Sequence, residues 1–163
     1  MMKYLSNCFW LLVPLLVWNI VFTSRLPWGY ARDVFWRDIP SWIGITENIT
    51  RILVFTLPIL MQFSLKTSVQ KAGLGIYLIG LLLYFASWIL QIYFPQSSWS
   101  RSLWGYAAPA YTTIIFFIGI GLIGKTSFIE LSSISIIYLA ISVAFVAIHT
   151  AHTYIIFQRI EPL

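Results

Sequence analysis

Residues 4–22, 41–65, 74–94, 109–123 and 134–157 are apolar runs that reach or approach the roughly 20 residues a helix needs to cross a bilayer, and they make up most of the chain. Hydrocarbon offers no partners to backbone N–H and C=O groups, so a crossing chain is either helical or a closed barrel. The runs lack the strict alternation of barrel strands. The sequence therefore predicts an all-α, integral membrane helical bundle of about five transmembrane helices, a single polytopic domain over residues 1–163.

Composition agrees with this. Only 9% of residues are charged and 60% are hydrophobic, whereas soluble domains carry about 25% charged residues. The formal charge of +5 is spread singly between apolar runs and forms no block, so it suits flanks held against anionic lipid and argues against nucleic acid as a partner. A single cysteine, Cys8, excludes an intrachain disulfide, a CxxC redox pair and a cysteine-built zinc site. The first run lacks a small-x-small cleavage pattern before Arg25 and reads as a retained span.

The connections differ in character. Residues 23–40, "TSRLPWGYARDVFWRDIP", mix arginines and aspartates with Trp28, Tyr30 and Trp36, a composition suited to the headgroup layer. This aromatic-rich interfacial loop joins the first two spans. Residues 95–108 repeat the theme with Trp99, Trp104 and Tyr106, while 66–73 and 124–133 contain neither Trp nor Tyr. Five spans put the two aromatic loops and the C-terminus at one end, B, and the N-terminus and the plainer loops at the other, A. End A carries Lys3, Lys66, Lys71 and Lys125; end B carries Arg25, Arg32, Arg37, Arg51, Arg101 and Arg159. This count by itself leaves the orientation open; because all the lysines sit at end A, mostly on its short loops, and the aromatic loops read as an exterior cap, the expectation is end A, with the N-terminus, in the cytoplasm of a cell bounded by a plasma or inner membrane.

Polar residues recur with helical phase inside the spans. In the third, Tyr77, Gly80, Tyr84, Ser87 and Gln91 fall at steps of three and four on one face, which is expected to face the bundle as hydrogen-bonding or cavity-lining groups. In the second, Glu47 and Arg51 are spaced i, i+4 with the acid first, the favourable order for an ion pair. In the fifth, Ala140, Ala144, Ala147 and Ala151 form a small-residue stripe opposite Ser142, His149, His152 and Thr153. Gly119, Gly121 and Gly124 of the fourth span are the expected partners of that stripe, which leaves the histidine face to point at the second and third spans.

Because successive spans alternate in direction, Glu47, Arg51, Gln91, Tyr111 and both histidines all lie toward end B, together with Asp38. The expected site is a pocket opening there, with His149, His152 and Glu47 as the catalytic set and Arg51, Tyr84, Trp88, Gln91, Tyr111 and Asp38 as substrate-binding residues. Three roles fit the histidines: general acid–base groups, interfacial residues that only satisfy hydrogen bonds, or, as a lesser alternative, metal ligands, since His149 and His152 at i, i+3 share a helical face. No cofactor is named by the sequence. It holds no P-loop, GxSxG, HExxH or dinucleotide fingerprint, and no filter-like or inverted-repeat pattern.

The stretch "PSWIGITEN…RILVFTLPIL", followed later by "GYAAPAY", resembles the family of small helical membrane sterol isomerases and their ligand-binding receptor relatives. The similarity covers some twenty-five residues with unequal spacings, and the family's acidic position in the first span has no counterpart. The resemblance implies a site in which intramembrane acidic and aromatic residues surround a flat apolar ligand. Two functions are thus expected: a pocket for a small, largely apolar or lipid-derived molecule, with acid–base chemistry on it; or a non-catalytic accessory subunit that meets a membrane protein partner or a second copy through its alanine and glycine faces. Membrane lipid is a partner in both.

Overall fold

A computed structural model describes residues 6–160. Lys3, the expected start of the first span at residue 4, and the last three residues lie outside the described part. Among the described residues the protein is helical without a strand, and five helices are long and apolar enough to cross a membrane. The first, Cys8–Arg25, is a composite: a 3-10 turn at Cys8–Leu12, α1 at Val13–Phe22 and a further 3-10 turn at Thr23–Arg25. A short 3-10 turn, Trp28–Tyr30, and α2, Arg32–Phe35, follow in the long loop. The remaining elements are α3 (Ser41–Leu60), α4 (Ser68–Tyr93), the consecutive pair α5 (Leu103–Tyr111) and α6 (Thr113–Ile123), and α7 (Ile134–Ile160).

Three of the boundaries that differ from expectation do so by more than a turn or close to one, for physical reasons. The second span stops at Leu60, not residue 65, because Pro58 lies in its last turn and Met61 turns extended. The third starts at Ser68, ahead of residue 74, because Thr67 and Gln70 form a reciprocal capping box. The fourth starts at Leu103, ahead of Pro109, with Ser102 capping the N–H of Gly105.

Pro109 consequently sits inside α5, where its missing N–H leaves the Gly105 carbonyl without its helical donor. The side chain of buried Gln91 supplies it: Nε2 donates to Gly105 O at 2.7 Å and also reaches Ser100 O at 3.3 Å. The expected ligand-binding Gln91 thus closes a gap in the neighbouring helix.

The polar face of α4 is buried throughout. Its glycine lets α6 approach so closely that a Cβ on Gly80 would lie 2.3 Å from the Phe116 backbone nitrogen, and one on Gly119 2.5 Å from that of Tyr77. The glycines of the fourth span therefore mate with α4, and with Leu139, Met61 and Cys8, rather than with the alanine stripe of α7. Ala140, Ala144, Ala147 and Ala151 are all exposed. The buried face of α7 carries Tyr138, Ser142, Phe145, His152 and Thr153 instead, since the larger side chains fill the space between helices and the alanines are left outside.

End A is sealed by backbone pairing. Extended residues 61–63 bond to the N-terminal segment through Cys8 N to Met61 O (2.9 Å) and Phe63 N to Ser6 O (3.1 Å). They bond to the loop before α7 through Gln62 N to Thr126 O (2.8 Å), and Leu60 O accepts from Phe128 N at 3.0 Å. End B is covered by the aromatic loop. Tyr30 donates to Tyr106 O at 2.7 Å and Tyr106 returns a bond to Gly29 O at 2.8 Å, with the two rings stacked. Burial, reinforced by Tyr106 beside it, pushes the Tyr30 phenol well above its ordinary range, so it remains a neutral donor. Arg159, at the end of α7, ties down the carbonyls of Arg37 and Asp38. Two cavities among the described residues lie toward end B.

Candidate functional site

The site is built where α3 meets α7. Glu47 lies six residues into α3, about 9 Å along its axis at 1.5 Å per residue, and is fully buried. A buried carboxylate is costly unless its oxygens are satisfied, and here three donors converge on it. Arg51, one turn further along α3, bonds to Oε1. From α7, His149 Nδ1 meets Oε1 at 3.0 Å and His152 Nδ1 meets Oε2 at 2.5 Å. The i, i+3 spacing that puts both histidines on one helical face is what lets them straddle a single carboxylate.

The partners fix the protons. His152 Nε2 lies 2.7 Å from the Phe35 carbonyl, which only accepts, so this nitrogen carries a hydrogen. The opposite nitrogen faces Glu47 at a distance where two bare lone pairs would repel, so a second proton is shared there. Fully buried His152 thus links Glu47 to the last residue of α2. His149 Nδ1 faces Glu47 Oε1, and no partner for its Nε2 is found among the described residues. Its ring stacks on Phe145 at 5.4 Å, and its side chain is 24% exposed.

That exposure is toward two cavities. The larger, about 370 Å³, runs between the first span, α3, α4, α6 and α7. Trp18 and Phe22, Phe55, Phe116 and Phe145 supply most of its apolar wall; Asn19, Arg51, Tyr84 and His149 are its principal polar groups. The smaller, about 160 Å³, lies under the aromatic loop against Tyr30, Phe35 and Tyr106. His149 and Trp88 border both, with Leu26 and Pro109. Among the described residues, neither wall has an acidic side chain.

Of the residues singled out from the sequence, Glu47, Arg51, His149 and His152 form one cluster, and Tyr84 and Trp88 join Arg51 and His149 on the cavity wall. The other three stand elsewhere. Gln91 is used within the bundle, as described. Tyr111 donates to Trp104 O at 3.1 Å on the outside of α5. Asp38 is exposed, with its carbonyl held by Arg159 in a left-handed turn (φ 51°).

Asn19 was not singled out, although it is an amide in the last turn of α1; Tyr84 donates to its Oδ1 at 2.7 Å. A polar residue within an apolar run was the available signal. The Phe35 carbonyl that orients His152 has no sequence signature.

Glu47, His149 and His152 each offer one ligand atom, all within 4.8 Å of one another, a set able in composition to hold a metal ion. The Arg51 guanidinium on the same carboxylate opposes a second cation there. The same geometry, a buried carboxylate bound to an imidazole whose ring borders two cavities, is also the geometry of acid–base dyads. No family model, no curated protein and no solved structure matches the chain.

Proposed function

We propose that the chain is a multi-pass integral membrane protein, with end A in the cytoplasm of a plasma or inner membrane, that binds a small, largely apolar or lipid-derived molecule in the cavities beside His149 and performs acid–base chemistry on it. The observation that carries this reading is His149 itself: Nδ1 is bound to buried Glu47, and the ring borders both cavities. Glu47 holds the tautomer and stabilises the imidazolium that forms when Nε2 takes a proton. His152 and Arg51 hold Glu47, and the aromatic walls supply flat contact surface with little side-chain entropy to lose. A volume of about 370 Å³ lies within the range of small-molecule sites.

The test uses the full chain in nanodiscs of a total membrane lipid extract in D₂O, followed by mass spectrometry of the small molecules. Wild-type protein should catalyse deuterium incorporation into a particular compound, and His149→Gln should lower that rate by about 10²–10⁴-fold while still retaining the compound. Equal incorporation by both proteins would overturn the acid–base role.

A second reading, a subunit that docks on another membrane protein or on its own copy, draws on the exposure of Ala140, Ala144, Ala147 and Ala151 along α7. A stripe of small residues admits the close approach of another helix. Ala147→Cys should then form a crosslinked species in native membranes; a monomeric product alone would remove this reading.

A further inference from the structure

The proton positions around Glu47 have a consequence for charge. Both ring nitrogens of His152 face oxygens, the Phe35 carbonyl and Glu47 Oε2, so one proton lies between His152 and Glu47; whichever atom holds it, the Arg51 guanidinium on Oε1 leaves the cluster with a net positive charge. Among the described residues, no second carboxylate lies within ion-pairing distance of Arg51, His149 or His152. An uncompensated charge in a low-dielectric wall is costly. Arg51 is placed to receive a counter-charge: its side chain is 35% exposed, it borders the larger cavity, and its guanidinium lies over the rings of Trp36 and Phe145, 5.6 and 5.9 Å from their centroids.

We propose that the occupant of the larger cavity is an amphipathic monoanion, an apolar body ending in a carboxylate that pairs with Arg51. This rests on the reading of the cavity as a small-molecule site and adds the charge of its occupant. The aromatic wall takes the body and the guanidinium takes the anion through charge-assisted hydrogen bonds. A carboxylic acid and the phosphate of an anionic lipid headgroup share this chemistry. The volume of the cavity, about 370 Å³, favours the acid, because a two-chain lipid would leave its tails outside.

The full chain in nanodiscs of zwitterionic phosphatidylcholine is titrated with pyrenebutyrate and, separately, with pyrenebutanol, and the saturable energy transfer from tryptophan to pyrene is read. Wild-type protein should bind the carboxylate at least about tenfold more tightly than the alcohol. Arg51→Gln should reduce that preference to within about twofold, and Arg51→Lys, which keeps the charge, should retain most of it. Equal binding of the two probes by the wild type would overturn the anion and leave the cavity reading standing. Saturable binding of neither probe by folded protein would overturn both. Displacement of pyrenebutyrate when phosphatidylglycerol is added to the nanodiscs would transfer the site to a lipid headgroup and overturn the free acid; no displacement supports it.

Discussion

At the residue scale, Glu47 is the group on which the site depends, because Arg51 and both histidines address its two oxygens. Glu47→Gln leaves two buried or half-buried cations without their anion, and the expected cost is about 3–5 kcal/mol. His149→Gln removes a single hydrogen bond at the cavity edge and should cost about 1 kcal/mol. Denaturant unfolding in mild detergent compares the two; similar losses would contradict the central position of Glu47. The paired histidines and the i, i+4 acid–base couple were legible in the sequence, because helical phase and alternating span direction are enough to bring them to one end. The Phe35 carbonyl was not, since any residue at that backbone position offers the same oxygen.

At the scale of elements, periodicity found the buried face of α4 and its hydrogen-bonding use, but not the partner of each member. Tyr77 donates to Leu11 O at 2.8 Å and Tyr84 to Asn19, Gly80 admits α6, and Gln91 serves the carbonyl freed by Pro109. A double-mutant cycle isolates that last pair. Gln91→Leu alone should cost about 1–3 kcal/mol by leaving a buried carbonyl unsatisfied. In a Pro109→Ala background, where the restored N–H can reach Gly105 O, the same substitution should cost measurably less, with a coupling of about 1 kcal/mol. Additive losses would show that Gln91 acts elsewhere. The alanine stripe of α7 was read correctly as a small-residue face and assigned to the wrong neighbour. Spacing shows which residues share a face; which face is buried depends on how bulk is distributed among all the helices, and here Gly80 and Gly119 had already committed α4 to α6.

At the scale of the whole molecule, the end with backbone bonds between the N-terminal segment, residues 60–63 and residues 126–128 is closed, and the end with aromatic rings and arginines holds the open space. The five apolar runs and their alternation foretold which residues would share that end; the cavities themselves depend on side-chain volumes that no periodicity encodes. The proposed function requires that the larger cavity hold a molecule. Native mass spectrometry of gently purified protein, wild type beside Leu15→Trp, which places an indole in the cavity wall, tests this most directly. The wild type should carry a bound species of small-molecule mass that the folded variant lacks. A wild type with no bound species after incubation with membrane lipid extract, or one retained equally by Leu15→Trp, would contradict the proposed function.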